Sequence, residues 1–297
     1  MKKSLGVSLS AVILSLAIPV LFLMMMSSAL SQTTTGIMAD SQGDRQSFFD
    51  LYYREPIMNT QKEKNVLVPF GWLYGAMWYN NPNEISQEKV NEMIKYAYVC
   101  DKECKLVSLD EFVTAVKPHL SDKEVTIDEL KKNIQLFEDS DQIYFGDIPS
   151  KMSDYKGLEM ALPLPSNSYQ ITARFGMYDP WGTGDWHMHN AIDLAPNDGQ
   201  EGHPLYSMIE GTISGKGYDA NGWGNYIVVQ SKKYPEFSIR FAHMQKPSSL
   251  VIGEAVKIKQ SIGLLGNTGD STGAHVHVEF IENGKRFNPE LVFKFDT

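Results

Sequence analysis

The stretch Gly269–Phe280, "GDSTGAHVHVEF", decides how the second half of the chain is read. It sets His275 and His277 one residue apart on a run of Val, Val and Phe. Such alternation is the period of a β-strand, and residues two apart on a strand share a face. Both imidazoles therefore project the same way. The pair alone leaves three readings open: a metal site, half of a catalytic site, or two polar residues on the wet side of a sheet.

The surroundings extend the β reading. From Ala161 onward, turn signals crowd together in "LPLPSNS", "DPWGTGD", "PNDGQEG", "DANGWGN" and "GNTGDSTG", with short β-rich runs such as "NYIVVQS" and "FSIRFAH" between them. Short strands and Gly-rich turns at this spacing predict a mainly antiparallel β domain, which we set at residues 160–297. The preceding region, 47–148, has helical texture. "SQEKVNEMIKYAYV" puts Val90, Met93, Ile94 and Ala97 on one stripe. Ser108 with Glu111, and Thr126 with Glu129, have the spacing of capping boxes. Leu130, Ile134 and Phe137 form a second stripe, and Pro118 ends or kinks the helix before it. The fold class expected is α+β multidomain, with a small all-helical domain before the sheet.

The amino terminus adds a third part. Lys2 and Lys3 precede an uncharged run whose centre, "VSLSAVILSLAIPVLFLMMM", is long enough to span a bilayer as a helix. A cleaved secretory signal has a shorter apolar core, so residues 1–32 read as a signal anchor and transmembrane helix. Ala29–Ser31 offers a cleavage site for the alternative, a secreted protein. Either way the lysines stay inside and the rest is exported. Residues 33–46 read as a polar linker. The net charge of -9 argues against nucleic acid as a partner. The two cysteines, Cys100 and Cys104, lie one turn apart if their segment is helical; export favours a disulfide over free thiols or half a metal site.

Six of the seven histidines fall in the β-rich part: His187, His189, His203, His243, His275 and His277. In "HMHNAIDLA" an even spacing puts His189 and Asp193 on one strand face, with the small Ala191 between them and Ile192 and Leu194 turned to a core. Imidazole and carboxylate are suitable zinc ligands, and a catalytic zinc takes three protein ligands and keeps one position open. His189, Asp193 and one histidine of the pair would supply three, leaving the other and His243 for proton transfer.

"HNAID", "FAH" and "GNTGDSTGAHVHVEF", in this order, resemble the lysostaphin-type (LytM-type) zinc peptidoglycan endopeptidases. The likeness runs from about Gln170 to Pro289 and includes the glycines of "NGWGNYIVVQS". The resemblance implies that His189, Asp193 and His277 bind Zn2+ and that His243 and His275 are the catalytic pair beside it. It implies a hydrolase of peptidoglycan stem peptides or cross-bridges, which the amino-terminal segment would hold at the membrane, outside the cytoplasm, for local wall opening in growth, division, conjugation or secretion. Where the family has glycine, this chain has Ala191, whose methyl is expected on the ligand-bearing face. His187 is expected on the groove or surface, and His203 facing solvent. A different class of function is a non-hydrolytic wall-binding scaffold or activator acting through the helical domain. That domain is read as an interaction module for a protein partner. Alternatively it is a lysozyme-like unit: Val66–Glu84 resembles the helices of lysozyme-like transglycosylases, which need a placed acid, and ends on Asn80, Asn81, Asn83 and Glu84, while the aromatic run Phe70, Trp72, Tyr74, Trp78 and Tyr79 reads as core or an interaction face.

Overall fold

The computed structural model describes residues 50–80, 86–137, 140–178 and 187–295. The expected anchor at 1–32 and linker at 33–46 lie outside them, as do Asn81, Asn83 and Glu84. Among the described residues, no helix is long and apolar enough to cross a membrane. The chain divides into two compact units between Gln142 and Ile143. Residues 143–148, expected in the helical domain, thus fall in the second unit.

In the first unit, helices run over Glu55–Lys64, Phe70–Met77, Gln87–Ile94, Leu109–Val116 and Ile127–Gln135. Both capping boxes form: Ser108 and Thr126 each accept from the backbone N–H three residues on, while Glu111 and Glu129 reach back. That satisfies two donors that a helix start otherwise leaves open. The stripes Val90, Met93, Ile94, Ala97 and Leu130, Ile134, Phe137 are buried. The helix carrying Val113 and Val116 stops before Pro118, which sits in a 3-10 turn, Lys117–His119. Gly75 lets the Phe70–Met77 helix approach closely, since a Cβ there would lie 2.5 Å from the Ile134 backbone.

The aromatic run serves this core. Phe70 and Tyr74 are buried, Trp72 stacks on Phe112 at 5.0 Å, and Tyr74 meets Tyr53 at 4.9 Å. Asn80 uses its side-chain oxygen to accept from Ser121, both N–H and hydroxyl, at 3.3 Å. The cysteines do bond, but not on a helix. They close a hairpin of β1 (Tyr98–Cys100) and β2 (Cys104–Leu106), where Cys100 and Cys104 are register partners with Cα atoms 4.0 Å apart. Direct cross-strand pairing brings the two sulfurs together without a helical turn.

The second unit is built on an antiparallel sheet. Its strands are β3 (Tyr169–Ala173), β4 (Gly176–Tyr178), β5 (His187–His189), β6 (Ile192–Pro196), β7 (Pro204–Tyr206), β8 (Gly211–Asp219), β9 (Gly224–Ser231), β10 (Phe237–Met244), β11 (Ala255–Val256), β12 (Ser261–Leu264), β13 (Val276–Glu282) and β14 (Lys285–Phe287). The main sheet runs β11-β8-β9-β10-β13-β6-β3, with β14 on β13; β4 with β5 and β7 with β12 form separate pairs. One face is apolar: Ile192, Leu194, Ile227, Val229, Ile239, Phe241, Val276, Val278 and Phe280 are all fully buried. Tyr155, from the short helix Met152–Lys156, stacks on Phe237 at 4.7 Å and extends this core. The opposite face of β6, β10 and β13 carries polar residues. His277 pairs with Asp193 on one side and Ala242 on the other, and Glu279 pairs with Arg240. A strand alternates faces, so burying one set necessarily presents the other.

Candidate metal centre and its groove

His277 and Asp193 are direct cross-strand partners of β13 and β6, so their side chains rise together from the polar face. His277 Nδ1 lies 2.9 Å from Asp193 Oδ1. His189 joins them from β5: its Nε2 is 3.1 Å from Asp193 Oδ1 and 3.2 Å from His277 Nδ1. The sequence expectation of one strand through "HNAID" is corrected here. The chain bends at Asn190–Ala191 and leaves the β4–β5 pair for the main sheet. The bend, not strand alternation, brings His189 over Asp193. Ala191 sits at that bend, fully buried, and is not among the residues lining the groove, so its methyl does not narrow the groove.

The three donor atoms fit a metal. Tetrahedral zinc with bonds of about 2.0–2.1 Å has ligand–ligand edges of about 3.3 Å, close to the spacings here. His189 Nδ1 faces the Arg174 carbonyl at 2.9 Å, which fixes its proton there and leaves the Nε2 lone pair for the centre. His277 Nε2 points the other way, toward Glu279 Oε1 at 3.5 Å, leaving Nδ1 for the centre. Among the described residues, His189, Asp193 and His277 are the group of acidic and imidazole side chains that can share one ion.

Electrostatics agree with a cation-binding centre. Burial works against charge on Asp193, but His189 and His277 hold its carboxyl well below the usual carboxylate range. Burial also works against charge on His277, yet Asp193 and Glu279 outweigh it and raise the imidazole to about 9 without a metal. Glu279 is buried, and although that opposes its charge, His277, Arg240 and Arg286 bring it down to about 2.

His243 and His275 open onto the same groove, whose volume is about 530 Å³. His275 turns Nδ1 to the Gly273 carbonyl at 2.9 Å and Nε2 toward Asp193 Oδ2 at 3.6 Å. His243 turns Nδ1 to the Thr268 carbonyl at 2.8 Å, and its ring lies 4.7 Å from that of His275. Each therefore holds a proton on Nδ1 and presents an Nε2 lone pair. Burial first, then the charges of His275 and His277, lower His243 to about 4. His243 sits at an irregularity in the β9–β10 register with φ of 57°, a left-handed conformation unusual for a residue with a Cβ. Its N–H donates to the Trp223 carbonyl at 2.8 Å, which secures that turn.

The β domain holds two further histidines. His187 is exposed on the groove rim, and His203 pairs with Asp198 at 2.9 Å. Sequence reasoning missed Glu279, Arg240, Trp223 and Arg286. Glu279 had a signal, because it follows His275 and His277 at the same two-residue step. The others depend on strand register that no local pattern carries.

Residues 187–289 match the family model described as Peptidase family M23, and this segment is an M23 domain of the lysostaphin type. An uncharacterized metalloprotease of Haemophilus influenzae is 35% identical over 110 residues, 37% of this chain and 22% of its own length. Peptidoglycan DD-endopeptidase ShyC of Vibrio cholerae is 33% identical over 111 residues, 37% of this chain and 24% of that protein. The catalytic domain of the antimicrobial peptidase lysostaphin from Staphylococcus simulans shows 28% identity and a TM-score of 0.36, covering 41% of this chain and 90% of that one. The chain spans about a quarter of the length of these two curated relatives. M23 domains are metallopeptidase domains that use zinc, and the His-Asp-His group here is placed to bind such an ion.

The raised His277 has a measurable consequence. Below about pH 9 the metal-free centre keeps a proton on His277, and a metal must displace it. Zinc binding at pH 7 is expected to release about one proton, falling toward none as the pH passes about 9. The same shift makes the His277–Asp193 pair stabilise the metal-free fold fully below the ordinary histidine range of about 6.5. That contribution is lost as the pH rises through about 9. Titration calorimetry in buffers of different ionisation enthalpy counts the protons; none released at pH 7 contradicts the assignment.

Proposed function

We propose that this M23 domain hydrolyses peptide bonds in peptidoglycan stem peptides or cross-bridges, using zinc held by His189, Asp193 and His277. The observation that carries the reading is the meeting of two sets of lone pairs in one groove. Three belong to the ligand atoms, and two more to the Nε2 atoms of His243 and His275. Zinc in that place supplies a Lewis acid beside the groove.

The chain's own residues divide the proton work. His243 is neutral near pH 7 because its imidazole is lowered to about 4, so its Nε2 accepts a proton from an attacking water and passes it to the leaving amine nitrogen as the C–N bond breaks. The Thr268 carbonyl holds the opposite edge of that ring and keeps the lone pair aimed at the groove. His275, with Nε2 turned toward the Asp193 carboxylate, donates from Nε2 in its doubly protonated form to the oxygen that gains charge during attack. One such donor is worth about 2.7–4 kcal/mol in hydrolysis. Relatives named as peptidoglycan endopeptidases support the substrate class for the matched segment.

We further propose that residues 1–32 hold the domain at the outer face of the cell membrane, with catalysis in the wall nearest to it. The Cys100–Cys104 disulfide supports an oxidising compartment. The helical unit is proposed to meet a protein partner.

Two experiments test these readings. His275→Ala is expected to keep one zinc per chain and to slow release of muropeptides from purified sacculi about 10²–10³-fold, whereas His189→Ala loses the zinc as well. Metal analysis and mass spectrometry of the products read both; full activity in His275→Ala contradicts the role given to it. After expression of the full chain, cell fractionation should leave the protein in the membrane pellet at high salt. Recovery of a shortened protein in the medium favours cleavage of the amino-terminal segment.

A further inference from the structure

The hairpin that delivers His277 also delivers a guanidinium that the chemistry above leaves unused. β13 and β14 pair Ile281 with Arg286, which puts Arg286 on the face shared by His277 and Glu279. Arg286 lines the same groove, with its side chain 35% exposed. Its Nε lies 3.0 Å from Glu279 Oε1, but the N–H is not aimed at that oxygen and has no hydrogen-bond acceptor among the described residues. Glu279 is already matched: Arg240 Nη1 lies 2.5 Å from Oε2, and Trp223 Nε1 donates to Oε1 at 3.0 Å. Arg240 is committed further by stacking on Trp223 at 3.8 Å, whereas Arg286 stands 5.5 Å from that ring.

One buried carboxylate thus faces two guanidiniums. Arg240 satisfies it from beneath, and the surplus positive charge belongs to Arg286, the one that reaches the groove. The Nε atoms of Arg240 and Arg286 are both buried without an acceptor among the described residues, so what sets Arg286 apart is the exposed remainder of its guanidinium side chain, and a planar guanidinium is matched best by a carboxylate. We propose that Arg286 is a specificity residue that binds a free carboxylate on the substrate peptide while the scissile carbonyl lies at the His189–Asp193–His277 centre. This rests on the hydrolase reading above. It goes further, naming an anionic peptide as the preferred substrate and Arg286 as the group that selects it. A purely structural Arg286 would act through Glu279 on His277 and would not distinguish charged from neutral substrates.

The test uses the full zinc-loaded protein. It takes two synthetic cross-linked stem peptides that differ in one group: the carboxyl beside the scissile bond is free in one and a carboxamide in the other. The wild-type chain is expected to prefer the free carboxylate by about tenfold or more in kcat/KM, chiefly through KM. Arg286→Gln should bring that ratio close to one with its zinc retained, and Arg286→Lys should leave an intermediate ratio, since lysine keeps the charge without the fork. A wild-type ratio near one overturns the proposal. So does an Arg286→Gln chain that slows on both peptides equally and keeps the wild-type ratio. Should Arg286→Gln not fold, the wild-type and Arg286→Lys ratios decide. Calorimetric binding of the same peptides separates this proposal from the hydrolase reading. Tighter binding of the carboxylate peptide without cleavage supports Arg286 and sinks the hydrolase. Equal binding and equal cleavage sinks Arg286 and keeps the hydrolase.

Discussion

The pairing of β13 with β6, which sets His277 directly opposite Asp193, is the constraint on which the site depends. A slip of one residue would turn His277 into the core and bring Val276 or Val278 to the groove. The apolar partners prevent it. Val276, Val278 and Phe280 are fully buried against the other face, as are Ile192 and Leu194 on β6. Burying one such side chain is worth about 1.5–3 kcal/mol, so a shifted register would forfeit several of these at once. The metal geometry is therefore held by hydrophobic burial on the far side of the sheet. The ligands themselves, with like lone pairs about 3 Å apart, would not choose this arrangement without an ion or proton between them.

From that fixed pair, the rest is delivered by departures from regular sheet. The bend at Asn190–Ala191 brings His189 over Asp193, and the left-handed turn at His243 breaks the β9–β10 register to aim an imidazole into the groove. A left-handed residue with a Cβ costs about 1–3 kcal/mol. It persists because its N–H, its Nδ1 and the neighbouring Asn225 and Thr268 are all hydrogen-bonded. The loops around it pack tightly: at Gly224 and Gly269, both with positive φ, an added Cβ would lie 2.2 Å from the backbone of the facing loop. Those glycines seat one loop on another. By contrast, Gly273 faces open space, so that position leaves room for another chain to approach the turn.

Much of this was legible in the sequence, for physical reasons that differ by residue. Strand alternation put His275 and His277 on one face, and the capping boxes at Ser108 and Thr126 marked helix starts, because both signals are local. The resemblance to lysostaphin-type enzymes, not spacing, named His277 over His275 as the ligand, and the geometry brings His277 Nδ1 to Asp193. What stayed hidden was set by contacts between distant segments. Cys100 and Cys104 have a spacing that suits a helix and a hairpin alike. The network of Trp223, Arg240, Glu279 and Arg286 draws on the β9 entry and three strands, and exists only once their register is known. The aromatic run from Phe70 to Tyr79 suits a core and an interaction face alike, because both use the same residues; Phe70 and Tyr74 are buried, whereas Trp78 is 41% exposed.

The central claim is that His189, Asp193 and His277 form one zinc centre. X-ray absorption at the zinc edge on the full chain, loaded with one equivalent, tests it most directly. The account predicts a shell of nitrogen and oxygen neighbours at about 2.0–2.1 Å with the outer-shell pattern of two imidazoles, both lost in Asp193→Ala. A shell without imidazole scattering, or an unchanged spectrum in Asp193→Ala, would contradict it.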